Sequence, residues 1–351
     1  MSKKDKVGVA LIGIGSWSSA IANAVQRSTK VKMVTCYTRT PEKREAFSKK
    51  YGCDQEKSFE DVLKRNDVDG LLLTTPNAIH TEHALLAARQ GKHIFVEKPI
   101  ANTLADGKKI VEACQKAGVV LLVGHDMRRL SGFRKMKELM DKGAIGKPIM
   151  VESNFAATLG FELTPEKWRW YGDDSGCPAG ALMTMGIHHA DTLRYYFGPI
   201  KKVFAFFNKL YIRADVEDVN LTTFQFESGV LGYLGSTYVS PRSNWIYVYG
   251  TDAHLYCTLS LPNVPFNEYL QIWSVIDRYT LLQIFDKSKD KPEPIALSIG
   301  DPILEEIDEF ADCIRTGKKP ETDGPGALAA LAFIRAAIES ARTGIPVDLK
   351  V

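Results

Sequence analysis

The sequence predicts an α/β protein in two parts. An N-terminal doubly wound parallel sheet is followed by a C-terminal α+β domain built on a large, mostly antiparallel sheet. Three observations carry this reading. Over residues 1–125, short runs rich in Val, Leu and Ile alternate with helical stretches, and the runs are continuously apolar, as strands covered by helices on both faces require. The first run ends in a glycine-containing turn that opens a helix. After Gly124 the segments lengthen, gain β-branched and aromatic residues and are punctuated by turns. The expected boundary therefore separates 1–125 from 126–351, and 351 residues suit two domains at about 100–200 residues each.

In chain order, the first-domain strands are expected at Val7–Ile12, Val31–Tyr37, Gly70–Thr75, His93–Val96 and Val119–Val123. Helices are expected at Thr81–Gln90 and Leu104–Lys116. Thr103 is a cap candidate for the second helix, with Asp106 three residues on and Gly118 just past the end. The second domain should form strands at Ile149–Ala157, Lys202–Asn208, Val219–Phe226, Val230–Tyr238 and Ile246–Leu259, with Glu227-Ser228-Gly229 closing a hairpin. Two helices, Leu304–Arg315 and Gly326–Arg342, should close the chain, stopped by Gly317 and by Gly344 with Pro346. Alternation over Asn220–Tyr238 is less clean than a solvated face should show, which predicts a homodimer or homotetramer.

Composition excludes several function classes. Lys plus Arg is 45 against 42 for Asp plus Glu, a net charge of +3, too small for nucleic acid or an anionic membrane as the main partner. Apolar runs such as Val119–Val123 are far short of the ~20 residues of a membrane span. The N-terminus has a basic tip before apolar residues but no small-residue cleavage pattern. Six scattered cysteines show no C-x-x-C pair and no zinc spacing, so reduced thiols, no metal and a cytoplasmic setting are expected.

The turn Gly13-Ile14-Gly15-Ser16-Trp17-Ser18 lies between strand and helix. Gly13 suits a tight turn, and Gly15 lets backbone approach a pyrophosphate held at the helix N-terminus. Ser18 stands where the fingerprint has its third glycine. This predicts a Rossmann-type dinucleotide site. The second strand ends Tyr37-Thr38-Arg39 without the acidic residue that bonds a ribose 2′-hydroxyl, while Arg39 suits a 2′-phosphate, so NADP(H) is favoured and NAD(H) remains open. Lys98, in Glu97-Lys98-Pro99 at a strand end, is placed to act as an acid/base if partly desolvated; an ordinary strand-end lysine is the alternative. In Gly180–Asp191, α-helical spacing puts Thr184, His188 and Asp191 on one face and turns His189 ~100° away to pack. His80 and His83 are expected as loop-anchoring and surface residues.

Taken together, the GIGSWS loop, TTPNAIH, EKP, WRW, GALMTMGIHHAD and the C-terminal DGPGALAALAFIRAAIESARTGIPVDL resemble the Gfo/Idh/MocA oxidoreductases over essentially the whole chain. The resemblance implies a catalytic Lys98, often with a cis bond to Pro99, and a catalytic or substrate-binding His188. It implies that Thr75, Pro76 and Asn77, with His80, Glu97 and Lys98 nearby, line the cofactor, and that Trp168 and Arg169 reach its nicotinamide side. Lys98, Arg128, Thr184 and His188 are expected at the substrate. Thr184 departs from the family, many of whose sugar and inositol dehydrogenases have an Asp four residues before the His.

The expected activity is interconversion of a secondary alcohol and a ketone on a sugar, polyol or related cyclic substrate. Two alternatives stay open: a glycosidase or lyase with tightly held NAD, and a catalytically silent nucleotide sensor.

Overall fold

The computed structural model describes residues 6–163, 176–262, 264, 268, 270 and 272–349. The chain divides into two compact units. One comprises Met1–His125, Phe266–Ser274 and Pro302–Leu328; the other comprises Asp126–Pro265, Val275–Asp301 and Ala329–Val351. A continuous second domain over 126–351 therefore loses two segments to the first unit. The helix Pro302–Thr316 shows why: Ser28 Oγ donates to Asp308 at 2.5 Å, Lys30 pairs with Asp312 at 2.7 Å, and Phe310 meets Phe95 edge-on at 6.2 Å.

In the first unit six strands run parallel: β1 (Val7–Ile12), β2 (Val31–Tyr37), β3 (Asp54–Gln55), β4 (Gly70–Leu73), β5 (His93–Glu97) and β6 (Leu121–Gly124). Their order is β3-β2-β1-β4-β5-β6, which reverses direction between β1 and β4. Ligands bind outside the carboxyl ends of strands at such a switch point. The crossover helices are α1 (Ser18–Arg27), α2 (Pro41–Tyr51), α3 (Phe59–Lys64), α4 (Asn77–Arg89) and α5 (Leu104–Ala117). All six residues of β1 are buried, as its unbroken apolar run requires. Thr103 caps α5 by accepting from Asp106 N at 3.1 Å, and Gly118 ends it at φ 65°. The third strand stops short of Thr75 because Thr74 turns aside, its N bonding Ile12 O and its Oγ1 bonding Gly13 O.

In the second unit the strands are β7 (Pro148–Ala156), β8 (Ile200–Asn208), β9 (Val219–Phe226), β10 (Leu231–Thr237), β11 (Ser243–Gly250), β12 (Ala253–Leu259), β13 (Thr280–Asp286), β14 (Glu293–Pro294) and β15 (Val347–Asp348). They form one sheet in the order β14-β13-β12-β11-β7-β10-β9-β8-β15, antiparallel except for β7 beside β10. The expected strand Ile246–Leu259 is in fact two. The chain reverses at Thr251-Asp252, whose N–H groups leave the ladder to bond Lys147 O and Ile145 O. Burial alternates regularly along β9 and less cleanly along β10, where Leu231 to Tyr233 all keep some exposure. Phe333, buried in the C-terminal helix Gly324–Thr343, meets Phe224 edge-on at 5.4 Å. On the outward face, Tyr247, Tyr249, His254, Tyr256 and Phe285 form an aromatic cluster, with Tyr247–Tyr249 centroids at 4.6 Å and His254–Phe285 at 4.7 Å. No helix among the described residues is long and apolar enough to cross a membrane.

Candidate active site

The glycine loop leaves β1 at its carboxyl end. Gly13 adopts φ 91°, and a Cβ there would stand 2.7 Å from Thr75 Cγ2, so both conformation and space demand glycine. A Cβ on Gly15 would meet nothing within 4 Å, so this side of the loop is open. Ser18 fills the third fingerprint position differently from glycine: it is buried, and its hydroxyl donates to Gly15 O at 2.6 Å. α1 begins after Trp17 with no side-chain cap and no acidic residue in its first turn. An open backbone turn at an uncapped helix N-terminus fits a dinucleotide pyrophosphate. Thr75 Oγ1, beside Gly13, is buried without a hydrogen-bond partner among the described residues, a polar atom suited to a bound nucleotide.

Trp17 points its indole N–H at Glu97 Oε1, 2.7 Å away, and meets Trp273 edge-on at 4.9 Å. Glu97 ends β5 and is buried, packed over Gly124 of β6. Lys98 follows, half-buried, and its bond to Pro99 is cis, as the resemblance implies. His80, fully buried on α4, joins two strand-end loops. Its Nε2 lies 2.9 Å from Thr75 O and its Nδ1 3.0 Å from Pro99 O. Burial pushes its pKa down, opposed by those carbonyls. His80 is thus the loop anchor expected of it. His83 differs from the surface residue expected: it is half-buried, stacked on Phe59 at 4.2 Å, and burial first, then the charges nearby, push its pKa down to about 4.

At the end of β2, Thr38 is half-buried and Arg39 exposed. Arg44 of α2 steadies this turn, donating from Nη1 to Thr38 O at 3.0 Å and from Nε to Gln55 Oε1 at 3.2 Å. The arrangement presents cationic and hydroxyl donors at the carboxyl end of β2.

The second unit supplies a buried polar cluster. A 3₁₀ turn, Asp126–Arg129, packs against α6 (Ser131–Asp141) and against α7 (Ile187–Phe197). Arg128 donates from Nε to Asp191 Oδ2 at 2.6 Å and from Nη2 to Asp191 Oδ1, so the guanidinium expected at the substrate is engaged by a carboxylate of its own unit. His188 Nδ1 lies 3.4 Å from Asp126 Oδ1, with both side chains buried. His189 packs as expected: fully buried, with Nε2 2.9 Å from Asn244 Oδ1 and a pKa pushed down to about 4 by burial.

Thr184 lies within a π turn, Leu182–Gly186, and its hydroxyl bonds Gly180 O at 3.1 Å and the Tyr238 hydroxyl. Tyr238 and Asp126 are the members of this cluster that spacing along the sequence does not reveal. Trp168 and Arg169 lie outside the described residues. Among the described residues no three His, Cys, Asp or Glu side chains gather as a metal site would require.

Family profiles cover both units of the chain. Residues 7–125 match the profile described as "Oxidoreductase family, NAD-binding Rossmann fold", and residues 133–256 match the GFO/IDH/MocA C-terminal domain. A solved structure from Desulfitobacterium hafniense, assigned as an NADPH-dependent oxidoreductase, is 36% identical with a TM-score of 0.92, covering 99% of this chain and 98% of its own. A 1,5-anhydro-D-fructose reductase of Ensifer adhaerens is 29% identical over 70% of this chain and 74% of its own length. A scyllo-inositol 2-dehydrogenase (NAD(+)) of Bacillus subtilis is 26% identical over 99% of this chain and 97% of its own. With an open glycine loop, a strand-end lysine and a Rossmann sheet in place, this chain belongs to the Gfo/Idh/MocA oxidoreductases and is an enzyme with an NAD(P)-binding domain.

Proposed function

We propose that this protein is a dehydrogenase or reductase that interconverts a secondary alcohol and a ketone on a sugar, polyol or related cyclic substrate. The observation that carries the reading is Lys98. It is half-buried at the carboxyl end of β5, and the Pro99 beside it is tied by His80 to Thr75 at the mouth of the glycine loop. The sugar and polyol chemistry of the relatives supports the substrate class.

When bound, the nicotinamide supplies the hydride acceptor or donor. Lys98 takes the hydroxyl proton in oxidation and returns it to the carbonyl oxygen in reduction. His188 bonds the reacting oxygen and orients it. Gly13, Ile14, Gly15, Ser16 and Trp17 cradle the pyrophosphate, Thr75, Pro76 and Asn77 line the cofactor, and Trp168 with Arg169 serve its nicotinamide side. Thr38 and Arg39 read the ribose, with NADP(H) favoured. Arg128 acts through Asp191 rather than on the substrate. Two copies of the chain associate through the aromatic outer face of the large sheet.

Lys98→Met tests the reading. On an aldose, inositol and anhydro-ketose panel with NADP and NAD, turnover should fall by roughly 10²–10⁴-fold while nucleotide affinity is kept. Near-normal turnover in Lys98→Met would remove the lysine from the chemistry. A wild-type protein that retains nucleotide through purification and changes the substrate without net nicotinamide reduction would point to the glycosidase or lyase alternative.

A further inference from the structure

His188 needs a fixed orientation to bond a substrate oxygen, because an imidazole presents two nitrogens and the neutral ring carries one proton. The position four residues earlier is occupied by Thr184, whose uncharged hydroxyl bonds Gly180 O and the Tyr238 hydroxyl. One turn further along α7, Asp191 is engaged by two nitrogens of Arg128. A carboxylate from another element stands close to the ring. Asp126, first residue of the 3₁₀ turn, places Oδ1 3.4 Å from His188 Nδ1, within ion-pair reach but outside hydrogen-bond geometry, with side-chain exposures of 5% and 7%.

We propose that Asp126 is the positioning residue of His188: its carboxylate draws the imidazole proton to Nδ1 and leaves Nε2 to face the reacting oxygen. This rests on the reading that His188 bonds that oxygen. The backbone at His188 is itself held, since Thr192 Oγ1 donates to His188 O at 2.9 Å. The Phe155 ring lies 6.4 Å from the imidazole between centroids, an apolar neighbour that lowers the local dielectric. The charged and titratable groups of the elements about the ring are Asp126, Arg128 and Arg129 on the turn, His189, Asp191, Arg194, Tyr195 and Tyr196 on α7, and Glu152 on β7, the strand of Phe155. His189 is turned away to Asn244. A buried carboxylate beside an imidazole sets the tautomer as well as the orientation, because the ion attracts the N–H end of the ring dipole in a setting of low dielectric.

The test uses the full-length protein, Asp126→Asn and Asp126→Ala, His188→Gln and the double variant Asp126→Ala/His188→Gln. Selective ¹⁵N-histidine labelling reads the tautomer directly, and His188→Gln identifies the resonance among the seven histidines. The wild-type ring should be protonated on Nδ1, and Asp126→Ala should move the proton toward Nε2. In Asp126→Ala, kcat should fall roughly 10- to 100-fold, part of the 10²–10⁴ that positioned acid–base groups supply, with nucleotide affinity unchanged. Asp126→Asn, which keeps an acceptor oxygen of the same size, should lose less. The double variant should be no slower than His188→Gln. An unchanged tautomer in Asp126→Ala would overturn the pairing, as would full turnover in Asp126→Ala where His188→Gln is impaired. Full turnover in His188→Gln would instead sink the functional reading, while the tautomer still judges the pairing.

Discussion

Arg39 is exposed at the end of β2, close enough to His83 that its charge helps depress that imidazole. Such a guanidinium pairs with a phosphate bidentately and offers nothing comparable to a ribose hydroxyl. A fluorescence titration of nucleotide-stripped protein should therefore find NADPH bound at least tenfold tighter than NADH, about 1.4 kcal/mol. Arg39→Ala should erase most of that difference by weakening NADPH alone. Equal affinities in the wild type would show that Thr38 and Arg39 do not read a phosphate. The residues legible in the sequence were those with local chemistry: glycines in a strand-to-helix turn, a lysine at a strand end, a missing acid after β2. Asp126 and Tyr238 were not legible, because their partners His188 and Thr184 lie 62 and 54 positions away, and nothing in spacing along the chain announces such a pairing.

β4 and β5 end in loops that carry Thr75 and Lys98, and one α4 side chain spans both. His80→Ala removes a fully buried ring from two backbone carbonyls, leaving a cavity as well as lost hydrogen bonds. Thermal stability should drop, on the order of 2–4 kcal/mol as for other buried large-to-small changes. Nucleotide affinity and turnover should weaken together, because both loops move; a variant destabilised to that degree but unchanged in both constants would show that the loops are held by other contacts. Elements with their own punctuation were easy to read. α5 announces itself through Thr103 and Gly118, and the β9–β10 hairpin through Gly229. Elements without it were not. β11 and β12 run together because Tyr249-Gly250-Thr251-Asp252-Ala253 holds no Asn-Gly or Asp-Gly pair, and the reversal depends on distant acceptors, Lys147 O and Ile145 O.

At the scale of the molecule, buried histidines set the response to acid. His83 and His189 have native pKa values near 4, and burial lowers those of His80 and His93 as well. Unfolded histidines titrate near 6.5, so between about 4 and 6.5 the unfolded chain binds more protons than the native one. Stability is then complete above about pH 6.5 and lost as pH falls toward 4, by up to about 1.4 kcal/mol per pH unit for each such group. The urea midpoint should fall steadily from pH 7 to pH 5, and His189→Gln should flatten the slope; a midpoint independent of pH over that span would refute the account. The outer face of the large sheet bears on association. Phe206 is 65% exposed and Leu221 46%, on β8 and β9 of the sheet whose other strands β11–β13 carry the Tyr247–Phe285 cluster, and exposed apolar side chains of this kind favour pairing. Light scattering at micromolar concentration should return at least twice the chain mass, and a charge placed at Tyr247 should lower it; a monomeric wild type would count against the pairing. The Trp17 indole, held on Glu97 and edge-on to Trp273, has a further consequence. Reduced nicotinamides absorb where indoles emit, so a donor chromophore stands inside the cofactor loop itself, and the dimming of its emission would gauge occupancy without any added label.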